Sequence, residues 1–513
     1  MKVKLRSCLW LLMTLPLLMI VQGCPEVDPE GGKTEQEKEA EKIAADPQYS
    51  AKRYLRSEYM DVYYYWRDEV KSRNAGLKPY NYATIYDFFD NMLYREDRWS
   101  WMCDREDYVS SETGVISGGT WGISLGQPTK YYFDYGLRVR YIYPGSPFEP
   151  FGVTRGAWLT HINGYDISFI SSQDQLDYYY DHYYESPQTF TFRLVDGRDT
   201  TFTTSWATSL SVRSSLITRI FQPEEFEGLT EPVGYFLYLS FKANFLNDIH
   251  EAMTTFHDAG IKKLIVDLRY NGGGDSRASQ LLVDYLAPKA AEGKSYVVRK
   301  HNSYVGHDLD ETCYVIPANK SDYSAEANSA SERKELEDYW DKVYPNRLDL
   351  DELYFIVGNG SASASEMVIN GLKPYFGEKE QMVGDTTYGK PNGMYVLMYP
   401  GSNEDYNRYN RGDFSKLQWV FLPICFFNVN SLGQSIPWDG FVPNRLYPDD
   451  LYHDFGVQEN NIKACLTHIV KHSYPDISTT TPTKSSNRQG YRIEMEEDSP
   501  RWGTDLVQKR QIF

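Results

Sequence analysis

The feature that most constrains this chain is an alternation of apolar strands and amphipathic helices that begins near Ser214. Gly234 to Phe241 reads as a buried strand and Phe245 to Phe256 as a helix closed by Gly260. Lys263 to Leu268 reads as a second strand and Ala278 to Leu286 as a second helix. Strands separated by crossover helices lie parallel, because only a long connection returns the chain to the same end of the sheet. Leu353 to Val357 is a later strand, followed by a loop and a helix from Ser363 to Tyr375. Met394 to Tyr399 and Leu417 to Phe427 read as further strands. Residues 214–475 are therefore expected to form a mixed α/β domain.

Two smaller blocks precede it. In 48–110 the residues Tyr54, Leu55, Tyr59, Val62, Tyr63 and Trp66 recur at spacings near three and four, and Ile85, Phe88, Phe89, Met92 and Leu93 repeat the pattern. This predicts a small helical domain whose aromatic stripe is core. In 114–205 short alternating segments replace the helices. Asn163-Gly164 and Asp196-Gly197 are hairpin signals, and Gln173 to Tyr180 reads as a short helix.

The ends read as an address and a tail. Lys2, Lys4 and Arg6 precede an apolar run from Leu9 to Val21, the layout of a signal peptide over 1–23. Val21-Gln22-Gly23-Cys24 resembles a bacterial lipobox, which implies lipidation at Cys24 and an exported protein anchored to the cell envelope, on the outer membrane or its periplasmic face. Residues 24–47 are polar and acidic and read as a flexible linker, and 476–513 as a low-complexity tail. The net charge of −18 argues against nucleic acid as a partner, since phosphate contacts need a basic face. The Cys residues show no C-x-x-C spacing, so a metal or cofactor is not expected, while export leaves disulfides open.

Three segments carry chemistry. Leu264 to Leu268 runs into Arg269-Tyr270-Asn271-Gly272-Gly273-Gly274, where consecutive glycines let backbone N–H groups converge on an anion. Gly358 to Glu366 crowds Ser361, Ser363 and Ser365 at a strand-to-helix turn, where a serine faces substrate beside a helix N-terminus. Ser363-x-x-Glu366 is equally the pattern of a capping box. Gly384 to Lys390 ends in a lysine after a glycine.

Together, and in this order, the three segments resemble the C-terminal processing peptidases, or tail-specific proteases, a serine peptidase family, in its exported bacterial lipoprotein form. The block before them resembles a PDZ domain, with Gly122-Ile123-Ser124-Leu125 at the peptide-carboxylate loop and Pro144-Gly145-Ser146-Pro147, Gly156 and Ile162-Asn163-Gly164 following. The resemblance implies a multidomain α/β and α+β protein: a small helical N-terminal domain, a PDZ-like β-barrel and a mixed α/β (ClpP/crotonase-like) serine peptidase domain. It implies Ser363 as nucleophile, Lys390 as general base and an oxyanion hole from the N–H groups of Ala364 and of Gly273 or Gly274. Relatives carry a Gln four residues after the lysine. Here that position is Met394, which leaves Asn392 and Glu366 as candidates to orient Lys390. The family usually has Pro where Gly272 stands, and the extra length between Ser363 and Lys390 is placed at a loop tip, Glu378 to Gln381.

The expected function is hydrolysis of protein or peptide substrates through a Ser-Lys dyad and an acyl-enzyme, with the PDZ-like block recognising C-termini or gating the site. The alternatives are a catalytically impaired peptide-binding envelope lipoprotein and, from aromatic richness alone, a glycan-binding protein.

Overall fold

A computed structural model describes residues 33–113, 119–126, 136–208, 210–310, 313–321 and 330–476. Its centre is a six-stranded sheet in the order Arg445–Leu446, Glu380–Gly384, Glu352–Val357, Lys263–Asp267, Val233–Tyr238, Ser215–Phe221. All neighbours are parallel except the last pair. Alternation along the strands decides the two faces. Phe236, Tyr238, Leu264, Val266, Phe355 and Val357 bury against the helices Leu246–Asp258, Ser276–Leu286 and Ala364–Phe376. Tyr235, Leu237, Ile265, Tyr354 and Ile356 bury against Ile462, Cys465, Leu466 and Ile469 of the helix Asn460–Lys471. A strand covered on both faces has no polar side to show, which is why these segments read as nearly continuous apolar runs.

The stretch expected as strand from Leu417 to Phe427 is two strands, Trp419–Leu422 and Ile424–Val429, interrupted at Pro423. The first pairs with Leu397–Tyr399 on one side and Trp101–Asp104 on the other. The second lies in an antiparallel sheet between Ser295–His301 and Asn392–Met394. The N-terminal helical region is therefore tied into the large domain by a strand. Its aromatic stripe is core, but core shared with that domain: Leu55, Tyr59, Tyr64, Trp66 and Phe89 bury with Leu397, Phe421 and Ile424.

Residues 119–126 and 136–208 form a curled β half-barrel, in the order Ile123–Gly126, Leu137–Ile142, Trp158–Ile162, Gln188–Arg193, Asp199–Thr204, with Tyr165–Asp166 paired beside Trp158–Ile162. The helix Gln173–Tyr183 closes it over a core that includes Trp121, Phe148, Phe190 and Phe202.

Two expectations need amending, and one open question is answered. The linker reading of 24–47 fails over Glu35–Ala45, which is helical and buries nothing. Thr34 and Glu37 form a reciprocal cap there, and Glu, Lys and Ala favour helix without needing a core. The loop tip is only Gly377–Lys379. Glu380 already belongs to the central sheet and is 6% exposed. Cys103, Cys425 and Cys465 are buried free thiols, so no disulfide joins them. The signal peptide, Cys24 and the tail beyond residue 476 lie outside the described residues. No helix among the described residues is long and apolar enough to cross a membrane.

Candidate active site

The strand Lys263–Asp267 delivers the glycine run to the edge of the Ala364–Phe376 helix. The Asn271 side chain holds the turn: Nδ2 donates to the Tyr238 carbonyl at 2.8 Å and Oδ1 accepts the Gly273 N–H at 2.9 Å. Gly273 has φ 106° and Gly274 φ 140°, conformations that a side chain resists. Close approach excludes one as well. A β-carbon on Gly273 would stand 2.8 Å from the Ser363 Cβ and 3.0 Å from the Ala364 nitrogen, and one on Gly274 would stand 2.0 Å from the Phe241 carbonyl oxygen.

Of the three serines in the crowded turn, two are committed to structure. Ser361 Oγ donates to the Leu268 carbonyl at 2.7 Å and Ser365 Oγ to the Asn271 carbonyl at 2.8 Å, so both clamp the turn to the glycine strand. Ser363 is different. Its backbone sits at φ 54°, ψ −111°, a region worth about 1–3 kcal/mol of strain for a non-glycine residue. A capping serine needs extended backbone angles. The capping box is accordingly present in outline, with the Glu366 carboxylate accepting the Ser363 N–H at 3.1 Å, while the Ser363 hydroxyl makes no cap hydrogen bond. That hydroxyl stands at the N-terminus of a 13-residue helix.

Glu366, fully buried, joins the serine turn to the lysine loop. Besides the Ser363 N–H, its carboxylate accepts the Thr387 hydroxyl at 2.6 Å and the N–H groups of Gly389 and Lys390, each at 2.8 Å. Burial raises its pKa, and these donors pull the other way. Lys390 is 4% exposed. Burial lowers its pKa from 10.5 to about 8, against the attraction of Asp97 and Glu366. Glu366 holds the lysine backbone. No hydrogen bond to it from the amine occurs, and the Ser363 hydroxyl and Lys390 amine are not hydrogen-bonded to each other.

The N-terminal region builds part of the lysine pocket. Asp97 accepts from the Tyr64 hydroxyl at 2.7 Å and from the Trp99 and Ser100 N–H groups at 3.0 and 2.9 Å. Arg98 donates to the Trp438 carbonyl at 2.8 Å, and the Trp99 and Trp438 rings lie 4.9 Å apart. That same carbonyl closes on Gly389, where a β-carbon would meet it at 2.2 Å. Tyr388 and Met394, which flank Lys390 in the chain, pack on the aromatic core of the N-terminal region.

The other predicted site residues are dispersed. Ile123, Ser124 and Leu125 lie in the outermost strand of the half-barrel, with Gly122 (φ 65°) just ahead of it. No cluster of metal-ligating side chains occurs among the described residues. Asp97 and Asn271 were missed in the sequence. Asn271 carried a signal, since an Asn two residues before a glycine of positive φ is placed to hold a turn. Asp97 carried none.

A strained serine at a helix N-terminus, a buried lysine of lowered pKa and a glycine turn thus meet around one buried carboxylate. Residues 232–404 match the model of peptidase family S41 and residues 57–101 that of the peptidase S41 N-terminal domain. Over these residues the chain carries a peptidase family S41 domain and an S41 N-terminal domain, which make it a serine-type peptidase that acts on protein or peptide substrates. Among solved structures it is similar to a putative S41 protease from Bacteroides fragilis NCTC 9343, at 20% identity and TM-score 0.59, over 81% of this chain and 97% of that one. The photosystem II D1 C-terminal processing protease also matches, at 15% identity and TM-score 0.41, over 81% of this chain and 94% of that one. No curated protein matches the chain.

Proposed function

We propose that this protein is an exported, lipid-anchored endopeptidase that works through Ser363 as nucleophile and Lys390 as general base. The observation that carries the reading is the shared tether: one buried carboxylate, Glu366, holds the backbones of both residues. A serine hydroxyl attacks a carbonyl only as a base removes its proton. A lysine serves as base only while neutral, and the dry pocket makes the neutral form accessible near pH 8. The Ser363 oxygen bonds to the scissile carbonyl carbon, its proton passes to the Lys390 amine, and the carbonyl oxygen becomes an oxyanion.

The Ala364 N–H opens the helix and has no acceptor among the described residues. It is the first oxyanion donor. The second comes from the glycine run. Gly273 lies against Ser363 but its N–H is taken by Asn271, whereas the Gly274 N–H has no acceptor among the described residues. The choice between them turns on whether Asn271 releases Gly273 when substrate binds. Return of the proton from Lys390 to the leaving amine gives an acyl-enzyme. Water, activated by the same amine, then hydrolyses it.

The half-barrel is the PDZ-like element in this reading. Its strand Ile123–Gly126 stands last in the sheet order among the described residues, and in this reading an extended peptide adds beside it with its C-terminal carboxylate at the Gly122 turn. Cys24 supplies the anchor. The retained serine, lysine and tether argue against the impaired peptide-binding alternative. The test is cleavage of an unfolded protein by the chain lacking residues 1–24, beside Ser363→Ala and Lys390→Ala. Loss in both folded variants supports the dyad, and activity in either one overturns it. Labelling of the intact protein with radioactive palmitate in a bacterial host, lost in Cys24→Ala, tests the anchor.

A further inference from the structure

Asn392 is 1% exposed, and neither its Oδ1 nor its Nδ2 has a hydrogen-bond partner. A buried carboxamide in this condition costs about 1–3 kcal/mol for each unmet group, so such a residue calls for an explanation. The strand Asn392–Met394 contains it, at the sheet edge, paired with Phe427 across the ladder. Opposed residues of an antiparallel pair share a face. Phe427 packs on Trp66 and Trp438 at centroid distances of 5.9 and 5.7 Å, so the carboxamide faces the N-terminal region. Pairing continues one residue back, where the Asn428 N–H donates to the Pro391 carbonyl at 2.8 Å. Lys390 lies two residues before Asn392, just ahead of the strand, and its amine feels Asp97 of the same N-terminal region. A buried lysine whose amine has no acceptor among the described residues and a buried carboxamide with no donor thus stand two residues apart on the side of that region.

We propose that Asn392 is the positioning residue for the Lys390 side chain, its Oδ1 accepting an N–H of the amine when substrate closes the site. This rests on the reading of Lys390 as base. A neutral amine has two N–H donors and one lone pair. To take the Ser363 proton, the lone pair must face the hydroxyl, and an acceptor for the N–H groups fixes that rotation. After transfer the ammonium has three donors, and the same oxygen receives a charge-assisted bond. Glu366 does not do this work, because it engages only the backbone of the lysine. The charged groups that act on the amine are Asp97 from the N-terminal region and Glu366 from the helix. Asn392 adds a neutral acceptor, which orients the amine while raising its pKa less than a third carboxylate would.

The test compares Asn392→Leu and Asn392→Asp with the parent and with Lys390→Ala, reading peptide hydrolysis and Ser363 labelling by a fluorophosphonate across pH. Leu keeps the branched shape of Asn and removes an unpaired polar group, so a merely structural Asn392 predicts unchanged activity in any Asn392→Leu protein that folds. The expected result is kcat at least tenfold lower with KM within twofold, and an acid limb displaced to lower pH. In Asn392→Asp the added carboxylate favours the ammonium and moves the limb to higher pH. Parent-like rate and pH profile in both variants overturn the inference. Should Asn392→Leu fail to fold, the Asp variant decides by whether its limb moves. Activity in Lys390→Ala removes the base itself. A dead Lys390→Ala beside a fully active, unshifted Asn392→Leu removes only the role of Asn392.

Discussion

The Glu366 carboxylate accepts the backbone N–H of Lys390 at 2.8 Å while its other contacts reach the serine turn and Thr387. Removing it leaves four donors without that acceptor, three of them buried. Glu366→Ala is expected to destabilise the fold by about 3 kcal/mol and to abolish fluorophosphonate labelling of Ser363. Glu366→Gln keeps one acceptor oxygen and turns an NH2 toward donors, so it falls between the two. Thermal denaturation and labelling, run on the same samples, check the order.

Gly273 tests the close approach. Gly273→Ala places a methyl group 2.8 Å from both the Ser363 Cβ and the Ala362 carbonyl, at φ 106°. Activity should fall at least a hundredfold, the order expected for losing an oxyanion donor, with a stability loss of about 1–3 kcal/mol. Gly164→Ala, a positive-φ glycine with open space around it, controls for strain alone and should keep full activity.

Lys390 should work against stability. Its pKa is lowered from 10.5 in the unfolded chain to about 8 in the fold. Between those values the unfolded state binds the extra proton, so stability rises with pH across that window, and below about pH 8 the full penalty is present. Lys390→Met should therefore raise stability at pH 7 by about 2–3 kcal/mol, with the gain shrinking toward pH 10. Urea melts at the two pH values check the sign.

The half-barrel is anchored to the glycine strand by buried charge. Arg155 donates to Asp449 at 3.0 Å, to the Asp450 carbonyl at 2.8 Å and to the Tyr270 hydroxyl at 2.7 Å, while Arg269 bridges Asp267, Asp449 and Glu459. Burial alone would raise the Asp449 pKa, but the two arginines outweigh it and hold it at about 2. Breaking such a network from one side typically costs about 3–5 kcal/mol. Arg155→Met should release the half-barrel to proteolysis before the rest of the chain unfolds, as limited digestion would show.

Much of this architecture was legible because its signals are local. The strands around Ile265 and Tyr354 are covered on both faces and so read as apolar runs, and the helix Leu246–Asp258 shows its period. Pro423 breaks a strand run that looks continuous by hydropathy. The helix Glu35–Ala45 was missed because a helix that packs on nothing has no apolar stripe. At the site, the crowded serines and the glycines stand out by composition. What tied them together did not. Glu366 acts through backbone N–H groups from two distant loops, and a bond to backbone leaves no mark on the partner's residue type. Asp97 reaches the lysine from another domain, so no spacing in the chain announces it.

The central claim is that Lys390 is the base for Ser363. The most direct measurement is the rate of Ser363 labelling by a fluorophosphonate between pH 5 and pH 10, in the parent and in Lys390→Ala. The account predicts a parent rate that climbs with pH to a plateau, with a midpoint near 8, and a variant that folds but does not label. A midpoint near 6.5, or a Lys390→Ala protein that labels at the parent rate, would contradict it and assign the proton to another group.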